Sequence, residues 1–364
     1  MKRLILLSVL TLQIAMIGCS GEVVNTSSKG ENNGTVSETG SEENVALGNE
    51  TAIADDSEDA TKEAADSNII EETQNDDDYN AKEQNSDRRV LCWGTSLTHG
   101  TGGGGVTMPN VLERLSGATV LNYGGYAEDT NCIATRSGAS EFTISKDITL
   151  PTNDEPVEVE FSSEFGDIEL ILKYTDVGLN PVTIDGVSGN LSRDEEDGTY
   201  YFSRIESGEE KEIVAGTVIV PYSVYDRRDN DINVIWTAGN DNLQNTEDIQ
   251  HLIEKIDKMI ECSGSENYII VSEMNKHEEV PVTDEVNSMF EEYYGEHFVN
   301  FRRYLIEEAF DELNLTPSTE DLWDISVYEV PSYFIIDDVH GNSLYYYLAG
   351  KLIYEKCQEL GYLY

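Results

Sequence analysis

The stretch from Val90 to Gly100, Val-Leu-Cys-Trp-Gly-Thr-Ser-Leu-Thr-His-Gly, constrains the fold more than any other part of the chain. Four apolar residues run into Gly94-Thr95-Ser96, and a glycine-rich turn, Gly102 to Gly105, follows. Met108, Val111, Leu112 and Leu115 then recur at helical spacing. The pattern predicts a buried strand, a tight turn carrying a serine, and a helix. In an open α/β fold such a serine is lifted out at the carboxyl end of the sheet, where these folds place their chemistry. An ordinary strand-to-helix turn with a solvated Ser96 fits the same residues.

The N-terminal part is of another kind. Lys2 and Arg3 precede an apolar run, Leu4 to Ile17, then Gly18-Cys19. A basic start, a short apolar core and a small residue before the cut describe a signal peptide over residues 1–18. Met16-Ile17-Gly18-Cys19 resembles a bacterial lipobox. That resemblance implies cleavage before Cys19, lipidation of its sulfur and a place on the outer face of the cytoplasmic membrane. An ordinary signal with a chance cysteine is the alternative. Residues 19–87 are mostly Ser, Asn, Thr, Gly, Glu and Asp, with one aromatic, Tyr79. Such a segment buries too little apolar surface to repay the entropy of ordering, and reads as an acidic, disordered tether.

Between Ser20 and Asp87 stand three lysines and nineteen acids, a third of the net charge of -48, so the rest of the chain is acidic too. Acidity of this size argues against nucleic acid as a partner and against docking on anionic lipid, leaving the lipid chains as the link to a membrane. Excluding Cys19, the cysteines are Cys92, Cys132, Cys262 and Cys357, widely spaced and without a CxxC pair, and no metal site is suggested. Cys92 falls in the apolar strand as a buried thiol. Disulfides are open outside the cytoplasm, and the sequence does not pair them.

Beyond the tether about 275 residues remain, enough for one large core or a core with an insert. Strands are expected at Ala118–Gly124, Ile232–Ala238, Tyr268–Val271 and His297–Phe301. Helices are expected at Asp248–Met259, Glu285–Tyr294, Arg302–Leu313 and Ser343–Leu360. Alternating strands and helices imply a parallel sheet covered on both faces. From about Ser140 to Asn230 the texture changes to short runs divided by Gly, Asn, Asp and Pro: Phe142–Ser145, Val157–Phe161, Ile168–Leu172, Tyr200–Phe202 and Ile213–Val220. Residues 140–230 therefore read as a β-rich insertion into a core made of 88–139 and 231–364. The insertion could shape the active site, bind a polymer, or only decorate the fold.

Four short blocks occur in one order. They are Gly94-Thr95-Ser96-Leu97-Thr98-His99-Gly100, then Asn122-Tyr123-Gly124 leading into Gly125-Tyr126-Ala127-Glu128, then Ala238-Gly239-Asn240-Asp241, and last Asp337-Asp338-Val339-His340. Together they resemble the SGNH, or GDSL-type, hydrolases. The resemblance covers nearly all of the chain after the tether except the insertion. It departs from the family pattern at Thr95, where aspartate stands, and at Ala127 and Ala238, where glycines stand.

The resemblance implies a three-layer α/β/α fold with a parallel five-stranded sheet, flavodoxin-like, and serine esterase chemistry without metal or organic cofactor. Ser96 would be the nucleophile, His340 the base and then the acid, and Asp337 its orienter. An acid three residues before a histidine can bond its Nδ1–H in one turn, leaving the outer nitrogen to take a proton from Ser96. Asp338 stands at the wrong spacing. The N–H groups of Ser96 and Ala127 and the Asn240 amide would hold the oxyanion, with Gly125 as the donor in a shifted register. Asp241 in place of Asn240 would set a carboxylate against developing negative charge. The expected substrate is a small-molecule or glycan ester; the surface anchor makes a carbohydrate O-deacetylase a second alternative to a general esterase, and Trp93, Trp236 and Tyr126 either stack on sugars or belong to the core. The rival class is a surface module of weak or no activity that binds glycan or protein through its insertion.

Overall fold

Period-two alternation along the central strands sorts their side chains into two separate cores. In strand β1 (Arg89–Gly94), Val90 and Cys92 join one buried cluster while Leu91 and Trp93 join another. In β3 (Ile232–Trp236), Val234 and Trp236 share the first cluster and Ile235 the second. In β4 (Tyr268–Val271), Ile269 and Val271 face the first and Ile270 the second. A strand that is apolar on both faces has to lie inside a sheet covered on both sides.

The structure, a computed structural model, describes residues 83–364. β1, β2 (Thr119–Gly124), β3, β4 and β5 (Phe298–Val299) form one sheet in the order β5-β4-β3-β1-β2, every neighbouring pair parallel. Helices α1 (Met108–Ser116), α5 (Phe301–Glu307) and α6 (Ser343–Glu359) supply the first cluster. Helices α2 (Thr130–Ser137), α3 (Thr246–Ser263) and α4 (Thr283–Tyr294) supply the second. The fold is α/β in three layers around a parallel five-stranded sheet.

Local signals set the element ends. Thr107 and Asn110 form a reciprocal capping box at the start of α1, with Pro109 in the first turn, and Gly117 closes the helix in the left-handed region. The helix expected over Arg302–Leu313 is two pieces, Phe301–Glu307 and Ala309–Glu312. The kink falls at Glu308, whose φ of -124° leaves the helical range and turns Ala309 and Phe310 into the same core as Phe301 and Leu305.

Between α2 and β3 the chain builds an antiparallel five-stranded sheet, in the order 219–220, 182–184, 187–193, 200–204, 157–159, and two smaller strand pairs. It has its own buried cluster, including Phe142, Leu179, Val182, Leu191 and Phe202, and Cys132 of α2 belongs to that cluster. The strand expected at Ile168–Leu172 is instead a run of turns, with Ile171 N–H donating to Ile168 O and Lys173 N–H to Leu170 O. The two most buried residues there, Ile168 and Ile171, are three apart, which a strand cannot put on one face.

The signal peptide, Cys19 and the tether up to residue 82 lie outside the described residues. Asn85, at the end of the expected tether, is fully buried. Its amide donates to Ser116 O at 3.0 Å and to Tyr364 O at 3.1 Å, and its oxygen accepts the Tyr364 N–H at 3.0 Å. Cys92, Cys132, Cys262 and Cys357 are free thiols. Among the described residues no helix is long and apolar enough to cross a membrane.

Candidate active site

Ser96 is placed by two close approaches at the end of β1 and by the cap that follows them. A Cβ on Gly94 would lie 2.1 Å from Thr98 Oγ1 and 2.3 Å from Trp236 O, so only glycine lets the chain turn here between β3 and the next residues. Thr95 caps the one-turn helix Ser96–His99, its hydroxyl accepting the Leu97 N–H at 3.3 Å. An aspartate would do the same capping, so threonine at this position keeps the local structure. Behind the turn, Asn122 donates to His99 O at 3.4 Å, and Tyr346 of α6 donates to Thr101 O at 2.6 Å.

His340 arrives from the loop before α6. The Asp337 carboxylate accepts from the N–H of Val339 at 2.8 Å and of His340 at 2.6 Å, which folds the loop into a single turn. Its other oxygen meets His340 Nδ1 at 2.9 Å. Ile336 N–H donates to His340 O at 2.9 Å and closes the turn. His340 Nε2 lies 3.0 Å from Ser96 Oγ. Ser96, His340 and Asp337 thus form one unbroken hydrogen-bonded chain. Burial pushes the Asp337 carboxyl up, but the three bonds it accepts outweigh that and hold it below the usual carboxylate range. Asp338 is turned away, its carboxylate paired with Lys276 Nζ at 2.8 Å.

Ala127 lies in the loop after β2 with φ +58°. Ala238, at the other position where the family pattern has glycine, has φ +77°. Both alanines therefore keep a glycine-like backbone, at a cost of roughly 1–2 kcal/mol each. The N–H groups of Ser96 and Ala127 have no acceptor among the described residues. The Gly125 N–H is taken by Gly94 O at 2.8 Å, which removes it as a donor to a ligand. Asn240 Nδ2 donates to Glu128 O at 2.8 Å, so the amide is tied to the residue next to Ala127 and has a second N–H left over. Asp241 points inward instead. Its carboxylate accepts from Thr130 N–H at 3.1 Å and Thr130 Oγ1 at 2.6 Å, and burial raises its pKa to about 6.

Several supporting residues carry no motif of their own. The Glu128 and Arg136 side chains meet at 2.6 Å with neither exposed. Arg136 also donates to Tyr123 O at 3.0 Å and to Val177 O at 2.6 Å, so one cation ties β2, the Ala127 loop and the insertion together. Asn275 Nδ2 donates to Gly239 O at 2.7 Å and steadies the Asn240 turn, while Glu273 Oε1 accepts the Asn275 N–H at 2.8 Å. Glu128 stands just before the N-cap Asp129 and Arg136 in the last turn of α2, a separation of eight residues that carries no local pairing signal. Trp93 and Trp236 are core residues, 4% and 1% exposed. Tyr126 is 41% exposed, its ring parallel to that of His340 at 6.4 Å. Among the described residues no three His, Cys, Asp or Glu side chains gather as a metal site.

The solved structures this chain is similar to include GDSL-family proteins. One is a lipolytic protein of that family from Desulfitobacterium hafniense, at 11% identity and a TM-score of 0.39, covering 74% of this chain and 99% of that one. A second, from Veillonella parvula, has 12% identity and a TM-score of 0.37 over 75% of this chain and 97% of that one. A peptidoglycan O-acetylesterase matches at 10% identity and a TM-score of 0.33, over 77% and 94%. No protein-family model matches the sequence, and no curated protein is similar to it at the sequence level.

Proposed function

We propose that this protein is a serine hydrolase that cleaves carboxylic esters through an acyl-enzyme. The observation that carries the reading is the chain Asp337–His340–Ser96, with contacts of 2.9 and 3.0 Å. His340 Nε2 takes the Ser96 proton as Oγ attacks the ester carbonyl, and Asp337 holds the imidazole in the tautomer that leaves Nε2 free. The N–H groups of Ser96 and Ala127 and the second Asn240 N–H stabilise the oxygen as it becomes negative. The imidazolium then gives its proton to the departing alkoxide, and the alcohol leaves. Water, deprotonated by the same nitrogen, attacks the acyl-enzyme and frees the acid and Ser96.

The substrate is a small-molecule or glycan ester. The proposed setting is the outer face of a bacterial membrane, held by lipid on Cys19, with the acidic segment as reach. Mass spectrometry of the membrane fraction should find a diacylglyceryl adduct on Cys19, and a mature chain starting elsewhere with an unmodified cysteine contradicts the anchor. For the chemistry, Ser96→Ala and His340→Ala should each remove nearly all turnover on a soluble ester, a factor on the order of 10⁶ in the best-studied triad. A His340→Ala variant keeping most of the kcat would show the assigned base to be wrong.

A further inference from the structure

The insertion brings one aromatic side chain to the edge of the catalytic centre. Tyr174, just after the turns at 169–173, meets Tyr126 edge-on, with ring centres 5.2 Å apart and planes at 73°. Tyr126 in turn lies parallel to the His340 ring and next to Ala127 in sequence. Tyr174 is 50% exposed, and neither tyrosine belongs to any of the three buried clusters. A single exposed aromatic needs no explanation. Two, drawn from separate parts of the fold and meeting beside the catalytic histidine, are not accounted for by packing.

The segment that carries Tyr174 is fixed on both sides. Asn131 of α2 donates to Asp167 O at 3.3 Å before it, and Arg136 of α2 donates to Val177 O after it. Gly178 then lies against the Trp93 ring, where an added Cβ would come within 3.0 Å. Two residues before Tyr174, Leu172 takes φ +62°, a conformation that costs a side-chain-bearing residue roughly 1–2 kcal/mol. Strain of this kind persists where the surroundings hold it, and it marks segments shaped for a use.

Resting on the ester-hydrolase reading, the geometry points to Tyr126 and Tyr174 as a carbohydrate subsite that takes the alcohol side of the ester, a pyranose ring bearing the acyl group. The chemistry fits a sugar better than a lipid. Two exposed tyrosines meeting edge to face offer flat apolar surface with hydroxyls at the rim, which suits the C–H face and the hydroxyls of a pyranose. A fatty chain would call for a concave apolar lining. Here Lys173 sits over the Tyr174 ring at 5.1 Å and adds a charged donor for sugar oxygens. In this arrangement the insertion sets which alcohol is accepted, while the core supplies the acyl transfer.

The test compares two acetate esters, glucose 6-acetate and ethyl acetate, on the wild type, Tyr174→Ala and Tyr174→Phe. The ratio of the two kcat/KM values should fall roughly three- to tenfold in Tyr174→Ala, the size of one lost aromatic contact, and through KM. Tyr174→Phe keeps the ring and should keep most of the ratio. A ratio unchanged in Tyr174→Ala, with the wild type active on both esters, overturns the subsite and leaves the hydrolase reading standing. Failure of the wild type to turn over either ester, with no labelling of Ser96 by a fluorophosphonate, overturns both.

Discussion

The Asn240 side-chain amide and the Glu128 main-chain oxygen lie 2.8 Å apart, which locks the turn after β3 to the loop that carries Ala127. One N–H of Asn240 is spent on this bond and the other remains for a ligand. A donor held in place before the reaction costs no reorganisation when charge develops.

Asn240→Ala is therefore expected to lower kcat by roughly 10²–10³ with little change in KM, since the oxyanion exists only in the transition state. Asn240→Asp should be at least as damaging. Asp241→Ala should be mild on kcat, because its carboxylate bonds Thr130 and faces away from the hole. Its cost falls on stability, about 1–3 kcal/mol for leaving buried donors unpaired. Steady-state kinetics of the three variants on one ester decide it: a crippled Asp241→Ala beside a near-normal Asn240→Ala would reverse the assignment.

The two left-handed alanines predict unlike responses to glycine. Ala127 is only partly buried, so Ala127→Gly should raise stability by about 0.5–1 kcal/mol through relief of strain. Ala238 is fully buried, and Ala238→Gly loses a methyl worth about 0.8 kcal/mol, which nearly cancels the relief. Denaturant midpoints of both variants test this, and a destabilised Ala127→Gly would contradict it.

Glu128→Ala should cost about 3–5 kcal/mol, because it strands the Arg136 guanidinium in the interior without its partner. The same variant frees the loop that carries Ala127, so kcat should fall with stability. A chemical melt that matches the wild type would show the pair to be dispensable.

Those supporting contacts mark where sequence reading stops. The parallel sheet was legible because Val90–Trp93, Val234–Trp236 and β4 are unbroken apolar runs, and the blocks around Ser96, Asn240 and His340 were legible because their residue types sit at fixed spacings. Asn85 was not, since a lone asparagine in an acidic, polar run carries no apolar signal, and its role depends on Ser116 and Tyr364, both far away in sequence. Ile168–Leu172 misled because an apolar run of that length suits a strand or a set of turns equally. Tyr174 carries no local signal that its ring meets Tyr126.

Glu273 makes stability depend on pH. It is wholly buried, and desolvation raises its carboxyl from 4.5 to about 7. In the unfolded chain it ionises near 4.5, while the folded protein keeps the proton until about 7. The folded state binds more protons between these values, so this group's contribution to stability falls as pH rises through the window. Glu273→Gln should flatten the dependence of Tm on pH between about 4.5 and 7, relative to the wild type. Parallel curves for the two proteins would contradict the assignment.

The central claim is that Ser96 is a nucleophile activated by His340, and covalent labelling reads this directly. Intact-mass and peptide analysis after treatment with a fluorophosphonate should show one adduct, on Ser96, absent in Ser96→Ala and strongly slowed in His340→Ala. Folded protein that takes up no label, or takes it up on another residue, would contradict the account.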